Sequence, residues 1–390
     1  MTVNQIYELI NSVSQQTFGQ SAPITTDLSG LISLGETLNS SSDKDKFLNT
    51  LVDRIGKTII RTLDLSVKFP KIMMNDFEFG AVLQKITAEP LTAVESEPWK
   101  VGGVSYTPNQ FAISKPNVRQ SLFSGKNVWS VKVTIPDNLF KTAFTSNNDM
   151  GAFINAIIDS MQKSMITQIS EMNRMCVVNF IGKKISTSNS VVHLATLYNE
   201  DMEYKSGDTG YVDVYNARFN AEFARYSGMI IRNYIKYLSE PSTMFNNAGV
   251  VRETQRDNMH VFMNADFASS YSTYLQSGTF HKELTELPLY EEITQWQSLK
   301  TIVEGANNPS FVSATSINVK LADSAAGDDA ISQNGIICVL ADRYAIGTTA
   351  YNVRTTTDRN NDGEYTNYSH KCDIGYFNDM TENGVVFVID

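Results

Sequence analysis

NDMGAFINAIIDSMQKSMITQISEMNRMCVVNFIG, residues 148–182, contains no proline and repeats its apolar residues at helical spacing. This periodicity predicts one long helix that ends at Gly182, because glycine suits a helix C-terminus. At 1.5 Å per residue such a helix would run ~50 Å, so it would span and organise a domain. We interpret its methionines as core-filling side chains, with a groove for a partner as the alternative.

Residues 63–136, upstream of this helix, have strand periodicity at both ends. Apolar and polar residues alternate over 63–69, which Pro70 closes, and again over 131–136. The material between these strands is broken by Pro and Gly and has few clustered apolar residues, so it would need something outside itself to pack against. We predict an extended β-hairpin here, preceded by an arm with two helices at 3–13 and 42–56.

Downstream of the long helix, the pattern predicts mixed α and β structure. One helix is expected over 214–223, a second over 230–238, and a strand over 259–263 whose end, Asn264 or Asp266, caps a further helix. The C-terminal part is β-rich, with a turn at Asp362-Gly363. Its predicted strands lie at 335–341, 344–354, 365–374 and 385–389.

The composition fits a folded chain of two or three domain-sized units. Of its 390 residues 42% are hydrophobic and 10% aromatic, and 32 Lys plus Arg face 42 Asp plus Glu, a net charge of −10. An acidic balance argues against a surface that grips nucleic acid everywhere. No apolar run reaches the ~18 residues of a membrane span, and the first residues lack a basic, apolar leader, so neither insertion nor signal-directed export is expected.

Motifs that would indicate an enzyme are missing from the sequence. It has no phosphate-binding glycine loop, no dinucleotide-binding glycine pattern, no paired-histidine zinc motif and no nucleophile elbow. The four histidines are dispersed, and we interpret Cys176, Cys338 and Cys372 as free buried thiols. Several enzyme classes thus lose their simplest evidence, and we predict no catalytic residue, no cofactor and no metal site, although the absence of a motif is not the absence of activity.

One segment imitates the start of a calcium loop. Asp358, Asn360 and Asp362 place oxygens at alternate positions, and Gly363 follows where such a loop bends. Position twelve, however, is Ser369 rather than the bidentate Glu that such a loop needs. A hairpin turn between two strands is the preferred interpretation, and ion binding by these three residues is left open.

The order of the segments resembles the major capsid proteins of tailed bacteriophages, which have the Hong Kong 97-type fold. Five blocks fall in the order found in the phi-twenty-nine-like members: Leu51 to Gly56 with Ile60-Arg61, Lys141 to Phe144 with Phe153 to Met161, Asn264 to Phe267, Gly363-x-Tyr365-x-x-Tyr368, and Gly384 to Val388. Residues 75–125 and much of 185–255 carry no such match.

This resemblance implies an α+β fold of four parts. They are an N-terminal arm (1–62), an extended loop (63–136), a peripheral domain (137–190 and 342–390) with 148–182 as its spine helix, and an axial domain (191–341). It also implies a non-enzymatic shell subunit of the virion, made in the bacterial cytoplasm and enclosing double-stranded DNA. The implied partners are copies of the chain in pentamers and hexamers, a scaffolding protein, and a portal protein at one vertex.

Four apolar residues of the extended loop, Trp99, Val101, Val104 and Tyr106, are candidate contacts between subunits, because their exposure in a monomer would be costly. A local core within the loop is the alternative for them. Two other functions stay open at this point. Bacterial nanocompartment shells share the fold and enclose protein cargo, and an α/β enzyme with an unrecognised site is conceivable.

Overall fold

The computed structural model describes residues 11–17, 46, 50, 67–74, 83–88, 91, 111, 113, 115–123, 126–136, 147–187, 190–278, 290–297, 311–321, 330–360 and 362–390. Its named α-helices are α1 (Asn147–Ser186), α2 (Leu194–Asp201), α3 (Ala221–Leu238), α4 (Ala265–Gly278) and α5 (Phe311–Ala314). Its strands are β1 (Leu83–Ala88), β2 (Val118–Phe123), β3 (Lys126–Pro136), β4 (Val191–His193), β5 (Met259–Asn264), β6 (Glu291–Ile293), β7 (Ile317–Val319), β8 (Ile331–Gln333), β9 (Ile336–Asp342), β10 (Ile346–Asn360), β11 (Tyr365–Asn378) and β12 (Gly384–Val388).

The chain divides into two compact units, each assembled from separate segments. The first unit comprises Met1–Phe79, Gly125–Val177 and Gly347–Tyr376. The second unit comprises Gly80–Ser124, Val178–Ile346 and Phe377–Asp390. Helices and strands occur in both, so the predicted mixed α and β content is confirmed. Within the described part of the chain, none of the helices is both long and apolar enough to span a membrane.

A three-stranded sheet in the order β10-β11-β3 forms much of the first unit. Strands β3 and β11 pair antiparallel, with His370 opposite Val131. Alternate residues of β11, among them Tyr368 and Cys372, are buried on the same face as Val131. The period-two alternation therefore predicted these strands, although both extend further than expected.

Asn173 in α1 joins three segments of the first unit. Its buried side-chain amide donates to the carbonyl oxygen of Lys68 at 3.0 Å, and its Oδ1 accepts from the Thr348 hydroxyl at 2.7 Å. The neighbouring residue Phe69 is buried and has φ 56°, a left-handed conformation that is rare for a bulky residue. These bonds hold residues 67–69 in a bend. The predicted strand 63–69 is therefore wrong at 67–69, the part of it that the structure describes.

The second unit is built around a five-stranded mixed sheet in the order β4-β12-β9-β5-β6. Two of its three inner strands, β12 and β9, pair antiparallel, and every residue of both is buried. Burial on both faces explains why these strands read as continuous apolar runs rather than as alternation. Phe180, near the end of α1, packs so closely on β12 that a Cβ at Gly384 would lie 2.5 Å from its ring.

One helix replaces two predicted ones in this unit. The helix expected over 230–238 is confirmed as the second half of α3, which ends at Leu238. The helix expected over 214–223 is wrong, because α3 begins only at Ala221 and continues without a break into the second. It begins where the Asn220 side chain accepts from the backbone N–H groups of Glu222 and Phe223. Ahead of it, the Asp213 carboxylate accepts from the N–H groups of Tyr215 and Asn216, which forms a turn instead of helix.

The long helix is confirmed but does not stop at Gly182. It continues to Ser186. Gly182 therefore lies inside the helix, where its missing side chain leaves room for Val319 to pack against the backbone. A Cβ at this position would lie 2.7 Å from a Val319 methyl group. Its core-facing methionines, Met161, Met165 and Met172, are buried as expected. The helix predicted at 42–56 falls almost entirely outside the described residues.

Lys184, near the end of α1, is fully buried. Its ammonium donates to the Phe245 carbonyl oxygen at 2.9 Å and lies 5.6 Å from the centre of the Phe180 ring. Burial lowers the pKa of this lysine from 10.5 to about 8. Below pH ~8 the buried lysine is charged in the native protein, which lowers the free energy of unfolding. This cost disappears as the pH rises from the native pKa towards the pKa of an unfolded lysine.

Replacing Lys184 by Met should remove this pH dependence. Between the two pKa values the native lysine is neutral while the unfolded lysine still binds a proton, so rising pH stabilises the unmodified chain. Its free energy of unfolding should gain about 2–3 kcal/mol relative to Lys184→Met between pH ~7 and pH ~10. Urea unfolding of both proteins at each pH measures the difference. A constant difference across this range would contradict the assignment.

Candidate assembly surface

Strands β1 and β2 form a separate two-stranded ribbon. They pair antiparallel, with Gln84 opposite Leu122, Ile86 opposite Gln120 and Ala88 opposite Val118. Among the described strands, neither pairs with any strand except the other. Directly opposed residues in an antiparallel pair lie on the same face, so the register divides the ribbon into two faces.

The outer face of the ribbon is exposed and largely apolar. Its six residues are all exposed, and three of them are large hydrophobic side chains: Ile86 is 63% exposed, Val118 53% and Leu122 61%. A cluster of large aliphatic side chains left in water on a two-stranded ribbon is typical of an interaction surface. The exposed residues Phe111 and Ile113 lie a few positions before β2 in the same segment.

The inner face of the ribbon contacts its own unit. The Lys85 ammonium, 17% exposed, donates to Asp379 Oδ2 at 2.7 Å and pairs with Glu382 Oε1 at 2.5 Å. Phe123 lies against Phe377, with ring centroids 4.9 Å apart. The ribbon is therefore amphipathic, with one face anchored to its own subunit and the other in solvent.

Two carboxylates near Lys85, those of Asp379 and Asp342, have pKa values shifted in opposite directions. Burial alone would raise the pKa of Asp379, but hydrogen bonds from Lys85 and Thr381 outweigh it, and the pKa is lowered. Asp342 is also buried and has no ion pair among the described residues, so burial raises its pKa despite a hydrogen bond of 2.7 Å from the Thr254 hydroxyl. Asp379 is thus the carboxylate built to stay ionised beside the ribbon.

The predicted contact residues Trp99, Val101, Val104 and Tyr106 lie outside the described residues. Sequence reasoning missed Ile86, Val118 and Leu122, which belong to the same predicted hairpin. These three residues lie in two short segments about thirty residues apart. They share a face only in the register in which β1 pairs with β2, and the sequence does not give that register. The ion cluster beneath the ribbon left no local sequence signal.

The hairpin interpretation of the calcium-like segment is confirmed. Strands β10 and β11 are neighbours in the sheet, and a turn at 362–364 joins them. The Asn360 oxygen accepts from the Gly363 N–H at 2.9 Å, so the turn itself uses it. Among the residues that the structure covers, no three His, Cys, Asp or Glu side chains are grouped as metal ligands.

The side chains that could act as nucleophiles are shielded. All three cysteines are buried thiols that form no disulfide, as expected, and burial raises the pKa of Cys176 to about 12. His370 is buried and His193 is exposed, with its Nδ1 2.7 Å from the Asp390 carboxylate. These groups lie on different elements and form no catalytic arrangement within the described ranges. The surface with the clearest functional character is the outer face of the ribbon.

The chain is similar in sequence to major capsid proteins of phages. A family model described as Phi29-like phage major capsid protein matches residues 8–388. The major capsid protein of Bacillus phage PZA is 20% identical over 292 residues, which are 73% of this chain and 58% of that protein. The major capsid protein of Bacillus phage B103 is 27% identical over 190 residues, 46% of this chain and 40% of that protein. The chain thus spans about half the length of these curated relatives.

A solved phage structure has a similar fold. A chain in the structure of the head fiber and inner core protein gp22 of native bacteriophage P68 matches with a TM-score of 0.51 and 11% identity, over 84% of this chain and 85% of that chain. A chain in the capsid structure of Staphylococcus phage Andhra gives a TM-score of 0.49 and 12% identity over the same shares. The family match covers nearly the whole sequence and includes both units. The chain therefore belongs to the family of Phi29-like phage major capsid proteins.

Proposed function

We propose that this chain is the major head protein of a tailed phage, which self-assembles into the icosahedral or prolate shell around a packaged double-stranded DNA genome. The observation that carries the proposal is the exposed apolar outer face of the ribbon in a member of this capsid family. A surface of this kind gains stability when a second copy covers it. Many modest contacts then act together when a shell closes.

The proposal includes the Hong Kong 97-type architecture and its four parts. Residues 1–62 would be the arm, 63–136 the extended loop, 137–190 with 342–390 the peripheral domain around the spine helix 148–182, and 191–341 the axial domain. The 40-residue helix α1, the separate ribbon and the five-stranded sheet support this division. The role is structural, and it requires neither a catalytic residue nor a cofactor.

The proposed partners follow from the same role. The chain would associate with itself in pentamers and hexamers, meet a scaffolding protein during assembly and adjoin a portal protein at one vertex. Its location would be the virion. A net charge of −10 suits a wall that confines DNA without adhering to it, so the genome can enter and leave. The family match and the curated relatives lend no support to the nanocompartment or enzyme alternatives.

Assembly of the full-length chain tests this function. The chain should be expressed alone and together with a candidate scaffolding protein, then examined by sedimentation and negative-stain electron microscopy. Closed particles built of the 43.4 kDa chain are expected. A chain that stays monomeric at every concentration, with the scaffolding protein present, would refute a shell role.

A further inference from the structure

We propose that Lys85 is a latch that holds the ribbon on its own subunit, and that breaking its ion pairs releases the ribbon in one piece while the five-stranded sheet stays folded. The ribbon has no main-chain pairing with another described strand, so side chains hold it in place. Lys85 bonds two carboxylates at once from the middle of β1. An isolated two-stranded ribbon is marginally stable in water, so the ribbon depends on such anchors.

The two carboxylates that bind Lys85, those of Asp379 and Glu382, are held in place by contacts outside the ribbon. Asp379 Oδ1 accepts from the backbone N–H of Thr381 at 2.9 Å and from its hydroxyl at 2.6 Å. The Asp379 N–H donates to the Ala345 carbonyl oxygen at 2.7 Å, which fixes the backbone at this point. Glu382 has a second cation in Arg252, with the nearest nitrogen and oxygen 3.6 Å apart. Both carboxylates would therefore remain partnered after Lys85 leaves.

This arrangement lowers the cost of release. Removing one member of a buried ion pair is expensive because the other charge stays buried without a partner. Here Arg252 remains as a cation for Glu382, Thr381 continues to donate hydrogen bonds to Asp379, and Lys85, which is 17% exposed already, becomes hydrated. Release therefore leaves Asp379 Oδ1 with two hydrogen bonds and Glu382 with a cation, so both charges stay partly compensated.

The space beside the ribbon also permits movement. Ala88, the last residue of β1, lines a cavity of about 490 Å³ together with Arg252, Asp342 and Glu382. The end of the strand therefore borders open space rather than a packed core. Displacing it would disturb few contacts of the sheet behind it.

The latch rests on contacts within one chain, and only its use in placing the outer face against a second copy rests on the proposed function. Before assembly, the latch would fix the orientation of the ribbon. On contact with a neighbouring copy, apolar burial on the outer face would compete with the ion pairs on the inner face. The ribbon could then follow its neighbour without unfolding the subunit.

Hydrogen exchange on the dilute, unassembled full-length chain tests the latch. Lys85→Met should speed amide exchange in 83–88 and 118–123 by at least about tenfold, because an undocked ribbon frays. Exchange in the sheet strands 336–342 and 384–388 should stay unchanged. Lys115→Met, which removes an exposed charge just before β2, is the matched control and should leave ribbon exchange unchanged. Lys85→Arg keeps the cation and should restore most of the protection.

A measurement without any substitution supports the same test should Lys85→Met fail to fold. Raising NaCl from ~0.05 M to ~1 M partly screens ion pairs whose lysine is 17% exposed, and should speed exchange modestly and in the ribbon alone. Ribbon exchange that is unchanged by salt and by Lys85→Met, or acceleration that spreads equally to the sheet strands, would overturn the latch. Neither result depends on assembly, so failure of the latch is distinct from failure of the proposed shell function.

Discussion

Replacing Leu122 by Glu should raise the protein concentration needed for particle assembly by at least about thirtyfold. Burying a leucine side chain contributes about 2 kcal/mol, which corresponds to roughly that factor in an association constant. Leu122 is among the most exposed apolar side chains of the outer face, where it lies diagonally across from Ile86. A carboxylate at this position would also have to lose water on docking, which adds to the loss.

The matched control for this substitution is Leu122→Met, which keeps an apolar side chain of similar volume and should assemble close to the unmodified chain. Both proteins should keep the thermal unfolding midpoint of the monomer, because position 122 faces solvent in the isolated subunit. Light scattering against protein concentration gives the assembly threshold. Assembly of Leu122→Glu at the unmodified threshold would show that the outer face is not used.

Replacing Gly335 by Ala should destabilise the second unit by at least about 3 kcal/mol. Gly335 has φ 74°, a left-handed conformation that costs an L-residue about 1–2 kcal/mol. A Cβ there would lie 2.2 Å from the Ile389 carbonyl oxygen, and the Ile389 N–H donates to the Gly335 carbonyl at 2.8 Å. The added methyl group would therefore separate two backbone segments where the inner strands β9 and β12 meet, at the start of one and the end of the other.

Gly249 provides a matched control for this effect. It has a similar φ of 62°, but a Cβ there would meet no atom within 4 Å. Gly249→Ala should therefore cost only the conformational part, about 1–2 kcal/mol. Urea unfolding followed by circular dichroism separates the two contributions. Equal destabilisation by both substitutions would show that the contact with Ile389 is not tight.

The elements predicted best from sequence are those whose pattern is local. Helix α1 repeats its apolar residues over many turns, and β9 and β12 are short runs of buried apolar residues. Asn264 was one of two candidate caps, and its side chain accepts from the N–H of Asp266 at 3.1 Å. The spacing of apolar residues and the side chain that caps a helix can both be recognised within a few neighbouring residues.

The errors occurred where distant residues or side-chain turns decide the structure. Gly182 suggested a helix end, yet Val319, far along the chain, packs against it inside the helix. The ion pair between Lys85 and Asp379 joins residues 294 positions apart, so neither residue is conspicuous in its own neighbourhood. The apolar outer face depends on the register of β1 against β2, which sequence periodicity over six residues cannot specify.

The most direct test of the central claim is photo-crosslinking from the ribbon within assembled particles. A photoreactive phenylalanine analogue at Gln120, an exposed outer-face position, should produce covalent dimers of the chain on illumination. Mass spectrometry should then identify peptides joined between two copies, and unassembled chain should give none. Particles in which the probe at position 120 crosslinks solely within its own subunit would contradict the claim that a neighbouring copy covers this face.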